Sequence, residues 1–218
     1  MKLRHSRLSS QQTRRLLEHF VAGTPARTAA ELVEVNRNTA THFYHRVRKV
    51  IAARLAYAGE PGGKGEVEVH ESYVGRKQQK KGHTMTASAP VIGLLTRGGK
   101  IHTVMVPNSR EDTLLPILRT RINPDALVYA SGSRLSDALS RLGVRHRRVN
   151  QNDRFAPGPT HVNGIENFWN QARRHLRKYN GIPSHHLHLY MKECEWRFNY
   201  GSARQLLKTL EHWLDQEQ

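Results

Sequence analysis

The residues best suited to chemistry on another molecule lie between positions 37 and 49. Arg37, Asn38, Thr39, Thr41, His42, His45, Arg46, Arg48 and Lys49 are interleaved with apolar residues at helical spacing. Asn matches the hydrogen-bonding edge of adenine, and Arg that of guanine, while Thr and Lys suit backbone phosphates. Side chains near the start of a helix inserted in a groove reach the bases first. That makes Arg37, Asn38, Thr39 and His42 the base-facing candidates, with Arg46 a turn further on. Other groupings promise less. His185, His186 and His188 are too closely spaced for a good zinc site and have no Cys beside them, so a solvated or DNA-facing cluster is the reading. Cys194 is the single cysteine, which excludes an intramolecular disulfide and a CxxC zinc motif. Phe168, Trp169, Trp196 and Phe198 read as core rather than as base-stacking platforms.

The charge of the whole chain supports a polyanionic partner. Across 218 residues, 35 Lys and Arg face 18 Asp and Glu, a formal charge of +17. Such an excess raises a potential of several kT over the surface, for which nucleic acid is the usual partner. A ribosomal-type protein and a membrane-surface binder are the other classes it allows. Residues 1–56 alone hold eleven Lys or Arg against Glu18, Glu31 and Glu34. The basic start, Met1 to Arg7, leads into no apolar run, and no stretch approaches the ~18–20 apolar residues of a membrane span. The expectation is a cytoplasmic, nucleoid-associated protein of a reducing compartment, without a membrane partner.

The reading helix needs helices to hold it. Leu16, Leu17, Phe20 and Val21 form the apolar stripe of a first helix, with Ser9 or Ser10 as its cap. Gly23-Thr24-Pro25 stops it, and Ala29, Ala30, Leu32, Val33 and Val35 belong to a short second helix. Asn36 fits a tight turn before a third helix that buries Ala40, Phe43, Val47, Val50 and Ile51. Three helices with that turn are a helix-turn-helix. We therefore assign 1–56 to a DNA-binding domain and the Gly- and Pro-rich 57–65 to a linker.

From 66 the period falls to two. Val67 and Val69 mark a strand, 76–89 a basic loop, and Val91–Leu95 with Ile101–Val106 a hairpin about Arg97-Gly98-Gly99-Lys100. A helix capped by Ser109 runs to about Arg121. Ala126–Ala130 is a strand, Ser133–Leu142 a helix, Arg145–Val149 a fifth strand and Asn150–Val162 a loop. Three helices close the chain, at about Gly164–Lys178, His185–Asn199 and Ser202–Leu214. Strands mixed with helices in this order predict an α/β domain over 66–218, a mixed sheet with flanking helices and a helical C-terminus.

Several strings make the chain resemble small bacterial insertion-sequence transposases of the DDE type, over about Leu8 to Leu214. They are Glu68-Val-His-Glu-Ser-Tyr-Val-Gly75, Pro90-Val-Ile-Gly-Leu-Leu95, Leu114-Leu-Pro-Ile117, Leu127-Val-Tyr129, His161-Val-Asn-Gly-Ile-Glu-Asn-Phe-Trp-Asn-Gln171, Arg173-Arg-His-Leu-Arg-Lys178 and Lys192-Glu-Cys-Glu-Trp-Arg-Phe-Asn199. The resemblance implies a helix-turn-helix ahead of a ribonuclease-H-like domain. It also implies two-metal phosphoryl transfer, in which two Asp and one Glu hold Mg²⁺ or Mn²⁺ ions about 3.5–4 Å apart. Double-stranded DNA as partner and a homo-oligomer that pairs two ends follow from it too.

Carried over residue by residue, Glu166 matches the third carboxylate and is the metal-binding candidate. The first Asp should stand before Glu71-Ser72-Tyr73, where this chain has His70. The second should follow Val128-Tyr129 by one residue, where it has Ser131. The 35 residues from Ser131 to Glu166 keep the family spacing, so the substitutions are real. The Gly-Gly expected after Tyr73-Val74 is Gly75-Arg76. Nearby acids are Glu68, two residues before His70 and on its face of the strand, Glu71 on the opposite face, Asp137 and Asp153. His70 suits Mn²⁺ or Zn²⁺ better than Mg²⁺. Arg173, Arg174, Arg177 and Lys178 share the helix of Glu166 and would meet substrate phosphates, a stripe that Arg145, Arg147, Arg148 and Arg154 would extend.

The function expected is DNA binding at an element's terminal repeats, for transposition, with the catalytic triad degraded. The alternatives are an active transposase whose metal site is rebuilt from Glu68, Glu166 and Asp137, or a domesticated DNA-binding regulator.

Overall fold

The computed structural model describes residues 8–57, 65–75, 77–80, 83–86, 89–149, 163–179 and 181–216. In chain order its elements are α1 (Ser10–Ala22), α2 (Ala26–Val33), α3 (Arg37–Tyr57), β1 (Glu66–Val74), β2 (Lys77–Lys80), β3 (His83–Thr86), β4 (Ala89–Thr96), β5 (Ile101–Met105), α4 (Glu111–Arg121), β6 (Leu127–Ser131), α5 (Ser133–Arg141), β7 (His146–Val149), α6 (Asn163–Leu176), α7 (Leu187–Tyr200) and α8 (Ala203–Asp215). A 3₁₀ turn, Ser184–His186, precedes α7. The chain divides into two compact units. One holds 1–58, 175–180 and 189–218, the other 59–174 and 181–188.

In the first unit, α1 opens on a capping box. Ser9 Oγ accepts the Gln12 N–H at 3.1 Å, and Gln12 Oε1 accepts the Ser9 N–H at 3.0 Å. The helix stops at Gly23, whose φ of 76° suits glycine. Between α2 and α3 the chain turns in three residues. Glu34 takes φ 57°, and Asn36 Oδ1 accepts the Asn38 N–H at 2.8 Å, capping α3. Leu16, Leu17, Phe20, Ala29, Val33, Ala40, Phe43, Val47 and Ile51 form the core, as their spacing predicts. Trp196, Leu206, Leu210 and Leu214 close the same core. The sequence reading grouped α7 and α8 with 66–218. They belong here from Leu189 onward because their apolar faces find this core.

Arg48 corrects the reading of α3. It does not face solvent: it is 4% exposed, and its Nε donates to Glu193 Oε2 at 2.7 Å. Glu193 also accepts from His175 Nε2 and Arg197 Nε, each at 2.9 Å. Its burial pushes the carboxyl pKa up, but Arg48, His175 and Arg197 pull it far below the usual carboxylate range. Tyr179 accepts a further bond from Arg48 Nη2 at 3.2 Å, and the guanidinium lies 3.9 Å from the Tyr190 ring centroid. Cys194, fully buried beside this network, has its thiol pKa pushed up by desolvation and is no nucleophile.

In the second unit five strands form one mixed sheet in the order β5-β4-β1-β6-β7. The β4–β5 hairpin about Gly98 stands as expected, with Leu95 opposite Ile101. β1 runs antiparallel to β4 and parallel to β6, and β6 parallel to β7. Residues 76–89 were read as a loop but contain the antiparallel pair β2–β3. Their polar composition hid it, since no face of that ribbon has an apolar period. Val67, Val69, Ile92, Leu94, Val128 and Ala130 line one face of the main sheet, covered by Leu114 and Leu118 of α4 and Leu135, Ala138 and Leu139 of α5. Ser109 does not cap α4, whose N-cap is Arg110 without a side-chain bond. The Ser109 hydroxyl is drawn instead to Glu71 and, at 3.1 Å, to Tyr73.

Candidate active site

The second face of the sheet carries the chemistry. Strand alternation puts Glu68, His70 and Ser72 on one side of β1, and Val67, Val69, Glu71 and Tyr73 on the other. The parallel ladder pairs Glu68 with Tyr129 and His70 with Ser131. The antiparallel ladder sets Gly93 opposite His70. His70 and Ser131 therefore stand side by side at the end of the parallel β1–β6 ladder, in mid-β1 and at the C-terminal end of β6.

α6 lies over them, and glycine lets it come close. A Cβ on Gly93 would stand 3.0 Å from Trp169 Cζ2 and 3.2 Å from Ile165 Cδ1. The Trp169 and His70 rings are 6.2 Å apart. Glu166, in the first turn of α6, is near enough for its charge to act on His70. The structure thus gathers His70, Ser131 and Glu166 on one face.

The imidazole is held neutral. Burial lowers its pKa, Arg173 adds to the lowering, and Glu166 and Glu71 oppose it. Its buried Nδ1 has no hydrogen-bond partner among the described residues, and neither has the Nε1–H of Trp169, a residue 1% exposed.

Glu68 is spent on structure. Its Oε2 accepts the Ile165 N–H at 2.9 Å, so this carboxylate caps α6 from another element. Its Oε1 accepts from Arg97 Nε at 3.3 Å. Arg97 also pairs with Glu66 and stacks 4.1 Å from the Tyr129 ring centroid. Sequence reasoning missed both roles, since 97 residues separate Glu68 from Ile165. Asp137 opens with Tyr73, Ser109, Arg110 and Arg134 into a cleft of about 710 Å³ on the other face. Asp153 and Arg154 lie outside the described residues.

A pair of hard divalent cations needs several carboxylate oxygens. Here one carboxylate, Glu166, meets a neutral imidazole and a hydroxyl. No group of three His, Cys, Asp or Glu among the described residues could hold a metal ion. The residues present do not fit a two-metal centre.

The basic residues fall into different settings. Arg37, Asn38 and His42 are exposed on α3, Thr39 and Arg46 half-buried. His42, His45, Arg46 and Lys49 line a groove of about 610 Å³ with Val50 and Ala53. Arg173 and Arg174 are exposed on α6, as is Arg177 just past its end. Arg173 Nη2 donates to Asn170 Oδ1 at 2.9 Å. Lys178 is exposed as well, but its amine has a partner in the fold. Its Nζ donates to Gly23 O at 2.8 Å, where it caps the carbonyl end of α1 beside Arg197, which bonds Phe20 O and Val21 O. Arg145 Nη2 is likewise committed to Asp125 O at 2.8 Å. His185 and His186 sit with rings 4.0 Å apart and form no metal cluster. No helix among the described residues is long and apolar enough to cross a membrane.

A mixed sheet in this order, with helices on both faces and the end of its parallel β1–β6 ladder under a carboxylate-bearing helix, defines a ribonuclease-H-like protein. Residues 63–199 match the ISXO2-like transposase domain. The chain belongs to that transposase family, whose members in general use divalent metal ions. A transposase-like protein of uncharacterised function from Haemophilus influenzae is 47% identical over 111 residues, 51% of this chain and 90% of the relative. Among solved structures, the Mos1 transposase paired-end complex with left transposon end aligns at 11% identity and a TM-score of 0.40, over 100% of this chain and 82% of that one. The Mos1 strand transfer complex aligns at 11% and 0.35, over 100% and 81%. At that distance the likeness adds nothing to the topology described above.

Proposed function

We propose that this chain is a DNA-binding member of the transposase family, recognising terminal repeats of an element through α1–α3, and that it no longer cuts or joins strands efficiently. The observation that supports the reading is that His70 pairs with Ser131 at the end of the parallel β1–β6 ladder, with Glu166 near enough to act on His70, so two of the three positions expected from the family carry no carboxylate. Exposed Arg37, Asn38 and His42 at the start of a helix that follows a three-residue turn support base reading by a helix-turn-helix. Arg46 and Lys49 suit the flanking phosphates. Glu68, the best substitute carboxylate, is taken by the α6 amide and Arg97, which argues against a rebuilt metal site. Pairing of two ends requires a homo-oligomer on the DNA.

The test is nicking of supercoiled plasmid in Mg²⁺ and in Mn²⁺, run alongside sequence-selective binding of duplex DNA. The expected result is that the protein binds but leaves the plasmid intact, while the His70→Asp/Ser131→Asp variant nicks it. Cleavage by the unaltered protein that disappears in Glu166→Ala would overturn the loss of activity. Absence of any preference for one duplex over competitor at physiological salt would overturn the DNA-reading role.

A further inference from the structure

We propose that the cleft beside the starts of α4 and α5 takes one unpaired nucleotide of DNA, its base stacked on Tyr73 and its phosphates held by Arg110 and Arg134. This rests on the DNA-binding reading above. Tyr73 is 57% exposed, the one large aromatic side chain so exposed among the described residues. Register accounts for its place. Tyr73 stands opposite Pro90 near the end of β1, on the face away from His70, and with Pro107 the two form the apolar wall of the cleft of about 710 Å³. The ring is tied down although it faces solvent. Ser109, 8% exposed, donates its hydroxyl proton to Glu71, so its oxygen accepts from the Tyr73 hydroxyl at 3.1 Å. An aromatic face fixed in advance loses little entropy when a ligand stacks on it.

The charges around the ring suit the two ends of a nucleotide. Arg110 is the N-cap residue of α4 and Arg134 lies in the first turn of α5. Both are exposed and line the cleft, and neither makes an ion pair among the described residues. Guanidinium groups placed so bind phosphate oxygens. Three acids share the cleft. Glu111 is already paired with Arg141 at 2.6 Å, which leaves Asp112 and Asp137. A carboxylate accepts from base amino groups, which adenine, cytosine and guanine carry and thymine lacks. Two cations for phosphate and two carboxylates for a base amine, set about one aromatic face, match a single nucleotide. In a duplex the faces of the bases are covered by their neighbours, so only an unpaired base can lie on Tyr73.

The experiment compares the affinity of the full chain for a blunt duplex and for the same duplex with a short single-stranded tail, the tail carrying the fluorescent adenine analogue 2-aminopurine. The tailed duplex should bind about tenfold more tightly, the affinity that one stacked base adds, and the 2-aminopurine emission should be quenched. Tyr73→Leu, at an exposed position and checked for folding by circular dichroism, should bind the blunt duplex as the parent does but lose the tail's advantage and the quenching. Tyr73→Phe, which keeps the ring, should retain both. Arg110→Ala/Arg134→Ala should reduce the tail's advantage, and a cytosine tail should bind more tightly than a thymine tail. A tail advantage that survives Tyr73→Leu, or unquenched emission with the parent, would overturn the proposal, because the tail would then be held by general positive charge. A tailed duplex bound no better than the blunt one would overturn it too and leave the cleft to a protein partner. Failure to bind either duplex overturns the DNA-binding reading first and this inference with it.

Discussion

Two regions of this molecule bury ionisable side chains, and they do so to opposite ends. Around Glu193, three donors converge on one carboxylate, from Arg48, His175 and Arg197, and Tyr179 accepts a further bond from Arg48. At the strand ends of the sheet, a neutral imidazole and an indole N–H go unanswered under α6. In the first arrangement the carboxylate is fully claimed by three donors, although the buried Tyr44 hydroxyl and Trp196 Nε1–H nearby have no partner among the described residues. In the second the unpaired atoms stand beside a half-buried carboxylate, Glu166. Burial and a shifted pKa are common to both, so neither marks function alone. Unpaired buried atoms also occur in both; what sets the second apart is that its residues stand where the family resemblance expects a metal site.

The sharpest way to break this contrast is to remove Glu193. Glu193→Leu would leave Arg48 buried without its carboxylate, and losing one partner of a buried pair costs about 3–5 kcal/mol. Urea unfolding should show that loss, and a change below about 1 kcal/mol would mean that the network is not structural. Acid gives the same test by a gentler route. Glu193 is depressed in the fold, so its stabilisation is fully present above the ordinary carboxylate pKa of about 4.3 and is lost as pH falls below that value toward the folded one. The melting temperature should fall steeply below about pH 4, and Glu193→Gln should flatten that slope.

In the second region the largest effect expected is steric. Gly93→Ala would set a methyl 3.0 Å from the Trp169 indole and 3.2 Å from Ile165, neither of which is a mobile tip. Overpacking of this kind costs about 1–3 kcal/mol. Tryptophan fluorescence should shift as the indole moves, and an unshifted spectrum with parental stability would show that α6 does not need the close approach. Glu68→Ala should cost somewhat less, about 1–2 kcal/mol, by uncapping α6. Amide exchange would speed selectively in the first turn of α6, and uniform exchange rates would assign Glu68 some other role.

What the sequence makes legible divides along the same line. Periodicity reveals α1–α3, the β4–β5 hairpin and the alternation of β1, because each is fixed by local burial. The resemblance singles out His70, Ser131 and Glu166, which fall in mid-β1, at the end of β6 and in the first turn of α6. Long-range polar pairings are invisible. Nothing near Arg48 announces Glu193, 145 residues away, so a cation on a helix that reads nucleic acid was taken for a solvated one. The bond from Lys178 to a carbonyl 155 residues distant is invisible for the same reason. Glu68 looked like a spare carboxylate because its amide partner belongs to another element. Each error has one physical source: a charged side chain shows in sequence as a charge, while its desolvation and partner exist only in the fold.

The smallest effect expected is at Glu166, and it tests the contrast most directly. Glu166 is half-buried, whereas Glu68 and Glu193 are buried and bonded to other elements. Its charge acts on His70, which is neutral, so little Coulombic energy is at stake. Glu166→Ala should change unfolding stability by no more than about 0.5 kcal/mol in either direction, the usual range away from packed features. A carboxylate that costs almost nothing to remove, set among elements gathered at a strand end, is there for something other than stability. A loss approaching that of Glu193→Leu would instead place Glu166 in a structural network and erase the distinction between the two regions.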